Sequence, residues 1–106
     1  MPVHNSDVAE IFNRIADFLE IKGENPFRIR AYRDAARTIG GLSKSAADLV
    51  AQKKDLSILP GIGKDLADKI KTIVKTGTHP LLKNLEAVWH RASQTGMAGA
   101  WGRLEH

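Results

Sequence analysis

The sequence of 106 residues contains no cysteine, which excludes disulfide bonds and zinc sites built on thiolates. Its four histidines are scattered, without the short spacings of metal ligands. No apolar run approaches the ~20 residues of a membrane-spanning helix, and the N-terminus lacks a signal-peptide pattern. We therefore expect a cytoplasmic protein with no membrane association and no required cofactor.

Patterns typical of β-structure are also missing, since apolar and polar residues nowhere alternate as they do along a half-buried strand. The sequence has no internal repeat and no low-complexity block. Hydrophobic residues make up 42% of the chain and charged residues 26%, as in folded domains. The net charge of +4 is compatible with a polyanionic partner. The sequence therefore predicts an all-α fold, a compact bundle of short helices.

Residues 59–64, with the sequence LPGIGK, interrupt the helical pattern most clearly. Pro60, Gly61 and Gly63 break a helix and allow a tight turn with a positive φ angle. Apolar residues then recur at helical spacing, which predicts a helix over 64–76. Upstream, Asp55 is placed to cap a short helix over 55–59. The predicted order is helix, hairpin, helix.

This hairpin has the chemistry of an anion site. The backbone N–H groups of Gly61, Gly63 and Lys64 lie at a helix N-terminus, where the helix dipole favours negative charge. Glycine lets a phosphate approach the backbone closely, so the hairpin can bind DNA without recognising its base sequence. The predicted phosphate-binding residues here are Gly61, Ile62, Gly63 and Lys64. The alternative is an ordinary Pro-Gly turn between two packed helices.

Four further helices are predicted from apolar residues at helical spacing, and they cover approximately residues 6–22, 26–39, 44–51 and 79–92. Asn5 or Ser6 is the expected cap of the first helix, with His4 in solvent before it. Asn25 and Ser43 are the expected caps of the next two.

These helices divide the chain into three segments. Residues 1–78 form the predicted helix-hairpin-helix domain, and residues 79–93 form an additional C-terminal helix. Residues 94–106 contain Gly96, Gly99 and Gly102, which interrupt any pattern, so we expect a flexible tail. The last three residues, LEH, resemble the remnant of an expression tag.

Arginines recur along the second helix. Arg30, Arg33 and Arg37 share one face, where they form either an ordinary charged surface or phosphate contacts. Arg28 falls within the apolar arc, four residues before Tyr32, so its side chain must extend to solvent or meet a partner such as a phosphate. The candidate DNA-binding residues of this helix are Arg28, Arg30 and Arg33.

Residues 25–33 (NPFRIRAYR) and 59–64 (LPGIGK), at this separation, resemble the small N-terminal domain of family X DNA polymerases, the relatives of polymerase beta. The resemblance covers about residues 5–85 and is closest to the bacterial members. It implies sequence-independent binding of gapped or 5′-phosphorylated DNA by a monomer that acts in base excision repair at the nucleoid. The carboxylate cluster that polymerization requires is missing, so this chain alone is not expected to polymerize DNA.

The resemblance also implies an alternative function, a 5′-deoxyribose phosphate lyase. In polymerase beta a lysine forms a Schiff base with the sugar aldehyde; Lys69 matches that lysine and Tyr32 matches a tyrosine beside it. Two positions depart from polymerase beta, which has a histidine at Phe27 and a lysine at Asp65. Asp65 precedes Lys69 by four residues, so an ion pair should hold Lys69 charged. We expect lyase activity to be weak or absent.

The hairpin of this family can also hold a monovalent cation, Na⁺ or K⁺, on backbone carbonyls. The matching carbonyls belong to Ser57, Leu59 and Ile62. The remaining alternative is a helical protein-interaction domain whose glycine turn binds nothing.

Overall fold

The computed structural model describes residues 3–95, with side chains through Arg91. Its helices are α1 (Asn5–Lys22), α2 (Pro26–Gly40), α3 (Ala46–Ala51), a 3₁₀-helix (Leu56–Ile58), α4 (Lys64–Thr76) and α5 (Pro80–Thr95). No strand occurs in residues 3–95, so the predicted all-α fold is confirmed. None of the helices in this range is both long enough and apolar enough to cross a membrane.

The core forms where the apolar faces of α1 and α2 meet, with α4 and α5 packed against α1. The ring of Phe12 contacts the ring of Tyr32 edge to face, with centroids 5.8 Å apart. Ile39 and Ile70 are fully buried in the same cluster. Burying each such side chain stabilises the fold by about 1.5–3 kcal/mol. The other predicted apolar positions that are buried are Val8, Ile11, Ile15, Ala16, Leu19, Ala35, Ala36, Ala46, Leu66, Ala67, Ile73, Leu82 and Leu85.

The start of α1 differs from the prediction. His4, rather than Asn5 or Ser6, is the cap residue, and its backbone N–H donates to the Asp7 carboxylate at 3.0 Å. An acidic residue three positions into a helix commonly makes this bond, and it also interacts favourably with the helix dipole. The helix therefore begins one residue earlier than expected.

Asn5 has a longer-range role instead. Its Nδ2 donates to the Lys44 carbonyl at 2.8 Å, and its Oδ1 accepts from the Ala46 N–H at 2.7 Å. The backbone N–H of Ala46, at the start of α3, thus has its hydrogen-bond acceptor on a side chain of α1. Ser45, not the predicted Ser43, is the cap residue of α3. Local sequence could not indicate this arrangement, because the partners of Asn5 lie 39 and 41 positions away.

The remaining helix ends follow the sequence more closely. Asn25 caps α2 by accepting the Phe27 N–H at 2.8 Å. Gly23 and Gly77 end α1 and α4 in the left-handed region, with φ angles of 78° and 83°. Helix α5 runs to Thr95, two residues past the predicted segment 79–93. The rest of the predicted tail, residues 96–106, lies outside the described residues.

Candidate nucleic-acid interface

The hairpin between the 3₁₀-helix and α4 is a type II turn. The Ile62 N–H donates to the Leu59 carbonyl at 3.1 Å, which closes a four-residue turn. Pro60 supplies the fixed φ that its second position prefers, and Gly61 takes the positive φ of 75° that its third position requires. The predicted tight turn with positive φ is therefore confirmed.

Three backbone donors of the hairpin remain available. Gly63 is the cap residue of α4 and brings no side chain to cap it. Within the described residues, no protein group accepts a hydrogen bond from the N–H of Gly61, Gly63 or Lys64. The space where a Cβ of Gly63 would lie has no heavy atom within 4 Å. All three residues are exposed, so these donors lie at the surface near the positive end of α4.

Ile62 has a different role from its neighbours. Its N–H is already bound to Leu59, and its side chain is only 3% exposed. Of the four predicted hairpin residues, Ile62 therefore anchors the turn in the core and offers its amide to no ligand.

Helix α2 holds the tip of the hairpin in place. The Thr38 hydroxyl donates to the Pro60 carbonyl at 2.8 Å. A Cβ at Gly61 would lie 3.7 Å from the Cβ of Asp34, so the turn lies directly against α2. Sequence reasoning missed Thr38 and Asp34, because their contacts join segments more than 20 residues apart. Held at two points, the turn is fixed before any ligand binds.

Positive charge collects beside the hairpin. Lys64 and Lys71 are exposed, and neither forms a salt bridge with a residue that the structure describes. Both lie close enough to Asp55 for their charges to lower its pKa. Hydrogen bonds from the hydroxyl and N–H of Ser57 hold the pKa of Asp55 below its ordinary value, and the charges of Lys71 and Lys64 act in the same direction.

Arg33 is engaged within the protein. Its Nη2 lies 2.8 Å from Asp17 and 3.1 Å from Glu20, both on α1. Hydrogen bonding to Asp17 raises the pKa of Arg33, and Glu20 adds to the effect, while burial opposes it. Arg33 therefore ties α2 to α1.

Arg28 lies at the surface rather than within an apolar arc. Its side chain is 47% exposed, with Nη1 3.7 Å from Glu24. The sequence interpretation was wrong here because residues 25–28 are all exposed, which leaves the first turn of α2 outside the packed region. The side chain extends to solvent, as one of the two predicted outcomes required.

Arg30 is the arginine of α2 that forms no salt bridge in the described part of the chain. It lines an open groove of about 770 Å³ between the end of α1 and α2, which we call the arginine groove. The charged residues lining it are Glu20, Glu24, Arg30, Arg33, Asp34 and Arg37. Asp34 also lies beside Gly61 of the hairpin, so the groove and the hairpin adjoin.

The predicted pair of Asp65 and Lys69 is confirmed. Lys69 Nζ lies 2.9 Å from both carboxylate oxygens of Asp65, and its side chain is only 15% exposed. Tyr32 is 2% exposed and packs against Phe12 in the core; no hydrogen bond joins it to Lys69. The structure thus supplies Lys69 with a carboxylate partner rather than a tyrosine.

His79 is a neighbour of this pair that the sequence did not single out. Its Nδ1 accepts the Leu81 N–H at 3.0 Å at the start of α5. Burial lowers the pKa of His79, the charge of Lys69 lowers it further, and Asp65 opposes both. A histidine just before the first residue of a helix is a weak cap signal, and its proximity to Lys69 comes from tertiary packing.

The carbonyls predicted to hold a cation have oxygen atoms of the right chemical type for Na⁺ or K⁺. The Leu59 carbonyl accepts one bond, from Ile62, and retains a second lone pair. Pro60 has no N–H, so the Ser57 carbonyl lacks the donor that would continue the 3₁₀ pattern. In the described residues, no cluster of three or more His, Asp or Glu side chains could hold a metal ion.

Comparison with known proteins identifies the class. Residues 3–79 match the helix-hairpin-helix domain family, and the chain belongs to this family. It is also similar to the N-terminal region of the DNA polymerase/3′-5′ exonuclease PolX of Bacillus subtilis strain 168, with 31% identity over 84 residues. The match covers 79% of this chain and 14% of that protein. The resemblance stated from the sequence is confirmed.

Proposed function

We propose that this domain binds DNA through its phosphate backbone, with the hairpin as the main contact and a gap or 5′-phosphorylated end as the preferred structure. The observation that supports this most strongly is the set of N–H groups at Gly61, Gly63 and Lys64, which have no acceptor among the described residues and are held in a fixed turn at the start of α4. Similarity to a DNA polymerase supports the choice of ligand.

In this mechanism the phosphate lies over the hairpin and accepts N–H bonds where no Cβ intervenes. The dipole of α4 and the charges of Lys64 and Lys71 favour the anion. Thr38 and Ile62 position the turn, so little ordering is needed on binding. Because the contacts are limited to phosphates and do not include the bases, binding is independent of base sequence.

Preference for a 5′-phosphate requires a second contact, because a terminal phosphate carries more charge than a phosphodiester. Arg30 is the best placed arginine of α2, since no carboxylate of a described residue would have to be displaced from it. Arg28 is held weakly, at 3.7 Å from Glu24, and is easily released. Arg33 would have to leave two carboxylates, so its contribution is smaller.

The test is a titration of isotope-labelled protein with gapped duplexes that either carry or lack a 5′-phosphate. Amide shifts should be largest at Gly61, Gly63 and Lys64, affinity should be similar across base sequences, and the 5′-phosphate should strengthen binding. Each duplex phosphate contact should add about −0.9 to the slope of log K against log salt. Shifts confined to α5, or affinity that does not change with salt, would favour a protein-interaction domain instead.

We infer that lyase chemistry through Lys69 is weak or absent. A Schiff base forms when a neutral amine attacks the sugar aldehyde and water leaves, whereas Lys69 Nζ is held 2.9 Å from both Asp65 carboxylate oxygens and must leave this ion pair to attack. The deoxyribose phosphate substrate should give little borohydride-trapped adduct with the wild type. Asp65→Lys should give more, and Lys69→Ala in that background should remove it. Efficient trapping by the wild type that disappears in Lys69→Ala would make this domain a lyase.

We also propose that Na⁺ or K⁺ joins the hairpin to a DNA phosphate through the carbonyls of Ser57, Leu59 and Ile62. Replacing K⁺ and Na⁺ by tetramethylammonium at equal ionic strength should then weaken DNA binding. Equal affinity in both salts would remove the cation from the mechanism.

A further inference from the structure

An apolar groove of about 320 Å³ lies on the surface beside the hairpin, between the segment before α3 and the 3₁₀-helix. We call it the leucine groove. Its apolar lining consists of Leu42, Leu49, Leu56, Ile58 and Leu59. Leu56 is 1% exposed and belongs to the core, whereas Ile58 at the mouth is 79% exposed. The groove is therefore an opening in the surface through which apolar side chains meet solvent.

The exposed side chain of Ile58 suggests that the groove has a binding partner. Burying a large aliphatic side chain stabilises a fold by about 1.5–3 kcal/mol. Because Ile58 is exposed, it contributes little of this stabilisation within the described chain. A singly exposed apolar residue needs no explanation, but one at the mouth of an apolar groove creates a continuous apolar patch. Such a patch suits an apolar side chain from another molecule.

The rim of the groove carries available positive charge. Lys44 and Lys54 line it, and neither forms a salt bridge with any residue in the described part of the chain. Asp55 also lines it and keeps its negative charge, so the rim carries two lysines against one carboxylate and is positive on balance. The rim therefore favours acidic groups next to the apolar occupant.

DNA fits this surface poorly. Single strands bind where aromatic side chains stack with bases, and no aromatic residue lines the leucine groove. A duplex backbone would place charged phosphates over an aliphatic floor. A polypeptide, by contrast, can combine apolar and acidic side chains at the spacing of the floor and the rim.

We propose that the leucine groove binds a short acidic peptide segment of a partner protein. One or two large apolar side chains fill the groove against Leu49 and Ile58, and flanking Asp or Glu side chains pair with Lys44 and Lys54. A contact of this size lies below the standard protein interface, so binding is weak and reversible. The proposal does not depend on DNA binding by the hairpin.

The experiment uses the full chain as bait for a library of random 12-residue peptides displayed on phage. Enriched peptides should combine large apolar residues with flanking Asp and Glu. Synthetic copies should shift the methyl signals of Leu42, Leu49 and Ile58 in NMR spectra. Enrichment of basic peptides, or of none, would overturn the proposal.

Matched variants assign the binding to the groove. Ile58→Asp should lower the affinity for the synthetic peptide by about tenfold, and Lys54→Glu should lower it severalfold. Both side chains are exposed, so the fold should tolerate the changes. Val88→Asp, at an exposed apolar position on α5, is the control and should have no effect.

Two other occupants are outcomes of the same spectra, and each would overturn the proposal. If gapped duplex moves the groove methyl signals as strongly as the hairpin amides, the groove belongs to a DNA surface. If contacts between the Trp101 ring and the Leu49 methyl groups appear in the free chain, the groove is occupied by the chain itself.

Discussion

The hairpin and the arginine face of α2 are both basic in the sequence, yet their charges differ in availability. Lys64 forms no salt bridge with a described residue, and the N–H groups of Gly61 and Gly63 lack acceptors. Arg33, in contrast, is bound to two carboxylates of α1. The difference teaches that the acids brought near by packing, rather than the number of basic residues, determine how much charge a ligand meets.

The origin of the difference lies in the neighbouring helices. The short connection between α1 and α2 makes them antiparallel neighbours, so the acidic end of α1 lies beside the arginines. The positive charge of the arginines in this region is thus offset by Asp17, Glu20 and Glu24. The acids beside the hairpin are engaged by other groups: Asp65 is bound to Lys69, Asp55 accepts hydrogen bonds from Ser57, and Asp34 lies 3.5 Å from Arg37.

The largest expected effect comes from filling the hairpin. Gly63→Ser places a Cβ and a hydroxyl where the phosphate should lie, and the hydroxyl takes an N–H of the first turn of α4. DNA affinity should fall about tenfold or more, since a hydrogen bond to a charged group is worth about 1.5–3 kcal/mol. The free energy of unfolding should rise by a few tenths of a kcal/mol, because serine caps a helix better than glycine.

Fluorescence anisotropy and chemical denaturation measure these opposite changes. Gly77→Ala is the control: its φ of 83° makes alanine strained, so stability should fall while DNA affinity stays the same. Unchanged DNA affinity in Gly63→Ser would remove the hairpin from the binding site.

A smaller effect should separate two arginines of the same helix. Arg30→Ala should weaken DNA binding by about 1 kcal/mol with little change in stability, since Arg30 has no described carboxylate partner. Arg33→Ala should instead lower the free energy of unfolding by about 0.2–1 kcal/mol per lost ion pair and change affinity less. Equal binding losses would show that the carboxylates of α1 do not restrain Arg33.

Removing the carboxylate partners of Arg33 should make its positive charge available to DNA, as the charge at the hairpin is. In the double variant Asp17→Asn with Glu20→Gln, the arginine keeps its charge and loses its partners. DNA affinity should rise severalfold, and the salt slope should steepen by up to about 0.9 if one phosphate contact is added. Arg33→Ala in this background should abolish the gain, and a gain that persists would reflect net charge alone.

The smallest expected effect is a pH dependence of stability that comes from His79, the neighbour of Lys69. Because burial lowers the pKa of His79 in the folded state, the unfolded chain binds the proton more readily. The stabilising contribution is therefore full above the ordinary histidine value of 6.5 and declines as pH falls through the lowered pKa. Melting temperatures from pH 7.5 to 5 should fall more for the wild type than for His79→Asn, which keeps a cap acceptor. Parallel curves would contradict this assignment.

Much of the fold was readable because its signals are local. Asn25 with Pro26 starts α2, Pro60 with Gly61 specifies the turn, and the spacing of apolar residues fixes which faces are buried. The pair of Asp65 and Lys69 was also predictable, since residues four apart on a helix are neighbours. Each of these interactions spans only a few residues, so backbone geometry alone nearly determines it.

The tertiary structure decided which of the predicted groups are available. Thr38 fixes Pro60, Asn5 completes the start of α3, and two acids of α1 engage Arg33. In these cases the partners are 13 to 41 residues apart, and several side chains of the same type could have met each group. The sequence by itself determined the helices, the turn and the local ion pair. Packing selected the partners, because distances between remote segments exist only once the core has formed.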